Sequence, residues 1–182
     1  MSDPFLLLGL FVLALVAGTI DAMAGGGGLL TVPGLMATGI APISVLATNK
    51  MSAIFSPLSA TWHFWRQGRI DILKLWRPAL LALLGAACGA ACVSFVNPAA
   101  LKQIVPFLLM AICGWLLLSE DFGKVPGKPR ISFALISVTL IPLVAAYDGF
   151  FGPGTGTFFA LGMVGLAGFT LDQATIEAKL YN

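Results

Sequence analysis

Charged side chains are scarce in this sequence: Asp, Glu, Lys and Arg make up only 10% of 182 residues. Ordinary globular domains carry about a quarter. A water-facing surface cannot be built from so few charges, which excludes an ordinary soluble domain. Histidine occurs once, at His63, and cysteine three times, at Cys88, Cys92 and Cys113. Cys88 and Cys92 stand four apart on one helix face, yet the only further ligand is the distant His63, so packing is the better reading. The chain has no GxxxxGK[ST] or GxGxxG, no zinc motif, no nucleophile elbow and no acid–base pair. Nucleotide binding, metal chemistry and hydrolysis therefore have no residues to carry them, and no cofactor is implied. A secretory leader needs a basic start, and Asp3 has the wrong sign, so the first apolar run reads as a permanent span.

What the chain has in abundance is apolar sequence, 58% of residues, with a mean hydropathy of +0.96. It is bunched into runs, several near the ~20 residues that cross a bilayer core. The runs are 5–23, 28–40, 43–65, 78–96, 101–118, 131–147 and 155–168, with another starting at Leu171. Seven of the ten basic residues fall in two polar loops, 66–77 and 119–130, which the positive-inside rule places in the cytoplasm. Beside these spans the basic loops read as topology signals rather than nucleic-acid contacts. Gly85 and Gly89 form a GxxxG that lets a neighbouring helix approach closely.

The second run is too short to cross. Thirteen residues of helix rise about 20 Å against a core of about 30 Å, so the turn at Gly25, Gly26, Gly27 and Gly28 lies within the membrane. Irregular backbone at that depth must be buried in protein or line a polar cavity. The same figure then returns. Asp21 precedes its glycine tract by four residues, and Asp148 precedes Gly152-Pro153-Gly154-Thr155-Gly156 by four. Each tract leads to a short apolar stretch and then to a helix bearing Lys50 or Lys179. Five segments separate the copies, and an odd number inverts the second. The expected fold is an all-α integral membrane protein, an inverted repeat of helices with glycine-rich interrupted or re-entrant segments. The first repeat covers 1–127 and an incomplete second covers 128–182, with about 70 residues of counterpart helices expected beyond Asn182.

Asp21, Lys50, Asp148 and Lys179 all fall at membrane depth, where each charge costs about 2.5–3.5 kcal/mol and marks a functional candidate. Amines, bare glycine amides and helix N-termini favour an anion. Thr31, Thr48 and Asn49 in the first copy, with Thr155 and Thr157 in the second, add neutral donors. The bland alternative pairs Asp21 with Lys50, and Asp148 with Lys179, to neutralise buried charge; the aspartates might otherwise carry protons or cations during coupling. A small anion is the expected ligand and the bilayer the solvent, while association of copies is left open.

The stretch from Gly18 to Gly28, with Thr48-Asn49-Lys50, resembles the first repeat of the sulfite exporter (TauE/SafE) family. The stretch from Tyr147 to Thr157, with Ala178-Lys179, resembles its second-repeat signature. The resemblance covers nearly the whole chain. It implies a transporter, not an enzyme, moving sulfite, organosulfonates or related anions across the bacterial inner membrane. Family members continue beyond the second lysine motif, so a non-transporting subunit or inactive fragment is the rival expectation.

Overall fold

A computed structural model of the chain describes residues 4–118 and 129–182. The described residues are helical throughout, with no strand among them. α1 spans Pro4–Ala24, α2 Gly28–Met36, α3 Pro42–Ala53, α4 Phe55–Arg66, α5 Ile72–Ser94 and α6 Pro98–Leu118. After the loop come α7 (Phe133–Val138), α8 (Leu140–Phe150), α9 (Thr155–Gly162, prolonged by a π-turn over Met163–Ala167) and α10 (Leu171–Tyr181). Three helical stretches among the described residues are long and apolar enough to cross a membrane: Pro4–Met23, Ile72–Ser94 and Phe133–Phe150. The protein is an all-α integral membrane protein, as the sequence indicates.

Two runs read as single spans are jointed. The run 43–65 breaks at Ile54 between α3 and α4, and the run from 131 breaks at Thr139 between α7 and α8. Both joints follow from proline. Pro57 and Pro142 lack an N–H, and their rings crowd the carbonyl four residues earlier, at Ala53 and Val138, where α3 and α7 end. The re-entrant helix α2 is also shorter than the 13 expected residues, at 9.

In the second half, the re-entrant path is explicit. Arg130 and Ile131 donate their backbone N–H groups to the Leu166 carbonyl at 2.9 and 3.1 Å. The far end of α9 therefore lies beside the start of α7, and the chain leaves the glycine tract towards the side from which it came. α10 starts beside the α4–α5 turn, where Arg69 forms an ion pair with Asp172 and lies over the Phe64 ring at 5.6 Å. That turn is tighter than the expected polar loop 66–77. α5 already begins at Ile72, capped by Asp71, whose side chain accepts from the Lys74 N–H. Of the loop 119–130, residues 119–128 lie outside the described residues, as does the boundary between 127 and 128.

Helix association inside a membrane rests on close packing rather than on release of water. The Gly85–Gly89 pair meets α8: a Cβ at either position would overlap the carbonyls of Pro142 and Ala146, and one at Gly149 would overlap Ala86. α5 and α8 touch backbone to backbone along that seam. Aliphatic and aromatic side chains on the outer faces, Phe5, Phe11, Leu73, Leu83 and Leu143 among them, are exposed as lipid-facing residues should be. Cys88 and Cys92 are exposed as well, so the expected packing role does not hold for them. Among the described residues no group of three potential metal ligands occurs.

The two copies of the sequence figure match in conformation. Gly25 and Gly152, each four residues after its aspartate, take φ of +79° and +100°. Gly39 and Gly168, each eleven residues before its lysine, take +80° and +70°. Gly34 packs on the Leu13 side chain and Gly162 on that of Leu140, and both leucines stand eight residues before their aspartate.

Candidate functional site

The two glycine tracts face each other at the centre of the molecule. A Cβ at Gly25 would sit 2.6 Å from the Gly156 Cα, and one at Gly156 would sit 2.7 Å from the Gly25 Cα. Backbone meets backbone here, which only glycine permits. Gly28 faces Pro153 in the same way, at 3.0 Å. Gly27 is folded against α1, where a Cβ would lie 2.6 Å from both the Ala17 carbonyl and the Asp21 Cβ. Tyr147 pins the second tract by donating to the Pro153 carbonyl at 2.6 Å. Phe151, from that tract, is buried in the apolar cluster of Val32, Val45 and Leu46 in the first half. The halves are interlocked, not merely adjacent.

The four intramembrane charges are brought together, but not in the pairs expected from proximity in sequence. Lys50 Nζ lies 2.8 Å from Asp148 Oδ1, with side chains 31% and 18% exposed. Lys179, 3% exposed, donates to the main-chain carbonyl of Asp21. Each lysine thus crosses to the other copy, which sets aside the alternative in which Asp21 pairs with Lys50 and Asp148 with Lys179. The cause is the interlocking of the tracts, which sets each third helix against the opposite aspartate. Gly152 lies so near that its Cβ would be 2.7 Å from Lys50 Nζ, so the missing side chain admits the amine.

The two aspartates differ in their partners. Thr155 Oγ1 lies 2.8 Å from Asp148 Oδ1 and 2.5 Å from the Gly152 carbonyl. Asp148 Oδ1 is therefore held by the Lys50 ammonium and by a Thr155 hydroxyl whose one hydrogen is shared with the Gly152 carbonyl. Asp21 Oδ1 accepts the Gly27 N–H at 3.0 Å, so the carboxylate sits where the N-terminal end of α2 begins. Asp21 Oδ2 is buried with no hydrogen-bond partner among the described residues.

Around Asp21 lies a cavity of about 50 Å³ lined on α1 by Ala14, Ala17 and Gly18, on the tract by Gly27 and Gly28, on α2 by Thr31, and on α3–α4 by Asn49, Ser52, Ala53 and Ser56. Thr31 donates to Asn49 Oδ1, which ties α2 to α3. Asn49 is buried, whereas Thr48, a turn of 100° away on α3, is exposed and does not line this cavity. Neither lysine lines this cavity, nor do Gly25, Gly26, Gly152, Gly154, Thr155 or Gly156. Gly154 and Gly156 are buried in the seam, Gly154 at φ +83° as the N-cap of α9. Ser52 and Ser56 were not singled out from sequence. With Asn49 they fall at i, i+3 and i+7, one helix face, and Ala14, Ala17, Gly18 and Asp21 follow the same rule on α1. His63 stays with the interfacial aromatics, beside Trp62 and Trp65, whose rings lie 5.1 Å apart.

The family model for the sulfite exporter TauE/SafE matches residues 10–182. The chain belongs to the TauE/SafE family. It is similar to the probable membrane transporter protein ORF9 of Sinorhizobium sp., at 43% identity over 97% of this chain and 68% of that protein. A probable membrane transporter protein of Haemophilus influenzae is 40% identical over 95% of the chain and 68% of its own length. The probable membrane transporter protein YfcA of Escherichia coli K12 is 42% identical over the whole chain and again 68% of its own length. No solved structure matches significantly. Membership in a transporter family agrees with what the TauE/SafE chain shows physically: buried charges, glycine-rich breaks between helices, and a small cavity with a carboxylate and hydroxyls in its wall.

Proposed function

We propose that this TauE/SafE chain is a secondary transporter, not an enzyme, that exports a small sulfur oxyanion, sulfite or an organosulfonate, across the bacterial inner membrane. The carrying observation is the half-buried Lys50–Asp148 pair at the seam between the glycine tracts. An ammonium held at depth by a single carboxylate is a replaceable partner: an oxyanion can take the place of Asp148 without leaving Lys50 uncompensated. Gly152 leaves the approach to Lys50 free of side chain, and Thr155 then supplies a neutral donor. The reading takes 1–127 and 128–182 as inverted repeats, with loops 66–77 and 119–130 cytoplasmic, which the matching glycine conformations and basic loops support. Alternating access would move one half against the other about this seam.

The test is uptake of labelled sulfite into proteoliposomes by this chain, a full-length relative, Lys50→Ala and Lys50→Arg. Flux that Lys50→Ala cuts at least tenfold, with partial retention in Lys50→Arg, is the expected result. No flux in any form removes sulfite as the substrate, and flux indifferent to Lys50→Ala removes the site. Flux by the relative but not by this chain makes the chain an inactive part of the machine.

A further inference from the structure

The cavity at Asp21 has the wrong chemistry for the anion. The formal charge in its wall is the Asp21 carboxylate, and no cationic side chain lines it. Lys179, the cation in contact with this residue, is engaged with the main-chain carbonyl and leaves Oδ2 unpartnered. Two of the wall hydroxyls have their hydrogens committed elsewhere. Thr31 donates to Asn49 Oδ1, and Ser52 donates to the Asn49 carbonyl at 2.9 Å. Their remaining hydrogen-bonding capacity is that of lone-pair acceptors. Ser56 Oγ, also in the wall, is buried without a partner among the described residues. Asp21 itself is 8% exposed.

We infer that this cavity is a binding site for a small monovalent cation of the sodium class, separate from the Lys50–Asp148 pair. A hard cation takes oxygen ligands, and one carboxylate with several neutral oxygens matches a single positive charge. The space fits: a water needs roughly 10–15 Å³ measured in this way, so about 50 Å³ holds a cation with two or three waters. The site lies between the C-terminal end of α1 and the N-terminal end of α2, where the two backbone dipoles oppose each other, so the preference for a cation rests on the carboxylate and the neutral oxygens. Asp148 offers no second such site, because the Lys50 ammonium already stands against its carboxylate. The coupling role expected of both aspartates therefore falls to Asp21 alone. This inference does not depend on sulfite being the cargo.

The test is equilibrium binding of radioactive sodium to the purified full chain in nanodiscs, with N-methylglucamine holding ionic strength constant. Saturable binding is expected in the wild-type chain and in Thr19→Ala, an exposed α1 hydroxyl that bonds its own helix at Leu15. Asp21→Asn should weaken binding at least tenfold and Ser56→Ala several-fold, each in monodisperse protein. If Asp21→Asn does not fold, Ser56→Ala decides alone. Absence of saturable sodium binding in folded wild-type chain overturns the inference, as does binding indifferent to both substitutions. Sulfite flux is read separately, so failure of the transport assay leaves this measurement standing.

Discussion

Asp21 and Asp148 occupy equivalent places in two copies of one sequence figure, yet they end in different company. Both sit in the last turns of a helix, four residues before a glycine of positive φ. Asp148 meets the Lys50 ammonium and the Thr155 hydroxyl, both at Oδ1. Asp21 spends one oxygen on a glycine amide and leaves the other without a partner among the described residues, in the wall of a small cavity. The difference comes from what stands across the seam. Lys50 reaches the carboxylate opposite, while Lys179 reaches only the main-chain carbonyl. A repeated motif therefore need not repeat a function: one copy can bind the cargo's charge and the other its counter-ion.

The largest expected effect comes from breaking the seam. Gly25→Ala combines a left-handed φ, worth roughly 1–2 kcal/mol, with overlap on the Gly156 backbone, worth another 1–3 kcal/mol. Its apparent melting temperature in detergent should fall far more than that of Gly39→Ala, where φ is equally positive but nothing lies within 4 Å of the added methyl. Equal losses would show that strain, not the close approach of the tracts, governs the position.

Next is the ion pair. Lys50→Ala should cost about 2 kcal/mol, below the roughly 3–5 kcal/mol of a fully buried pair because both side chains keep some exposure. The double variant Lys50→Ala with Asp148→Ala should recover part of that loss. A double variant no better than the single would mean that Asp148 does not depend on Lys50 for compensation.

A smaller effect sharpens the asymmetry. Thr155→Val removes a hydroxyl donor to Asp148 and should cost about 1 kcal/mol in thermal stability. It should also weaken the coupling between Lys50 and Asp148 read from the double variant. Thr31→Val, whose hydroxyl serves Asn49, should leave that coupling unmoved.

The smallest effect lies outside the seam. The side-chain hydrogen bond from Lys74, with its charge, holds the Asp71 carboxyl below its ordinary value. A group depressed in the folded state stabilises above its unfolded pKa of about 4 and loses that contribution as pH falls through its folded pKa. Acidification through and below pH ~4 should therefore lower the melting temperature by a slight step that Asp71→Asn lacks.

Much of this was legible in the residues because it is local. Apolar runs, glycine tracts and the four buried charges are each defined within a turn or two of chain. The helix joints were legible too, since Pro57 and Pro142 stand four residues after the last residues of α3 and α7, but an apolar run hides its prolines from a reading of hydropathy. Ser52 and Ser56 share the face of Asn49 at helical spacing. Only the cavity distinguishes them from other serines, such as Ser59, that simply bond their own helix. Thr48 shows the opposite case. It is adjacent to Asn49 in sequence, and helical rotation carries it to the outside.

By itself, then, the sequence determined that this chain lives in a membrane, that it carries two glycine-broken helices, and that an aspartate and a lysine flank each break. Charge scarcity, run length and backbone freedom are properties of short stretches, and no distant contact can reverse them. Which lysine meets which aspartate, and which carboxylate oxygen is left over, was decided only by the tertiary structure. Those contacts join residues about 100 to 160 positions apart, through a seam whose geometry depends on two glycine backbones touching.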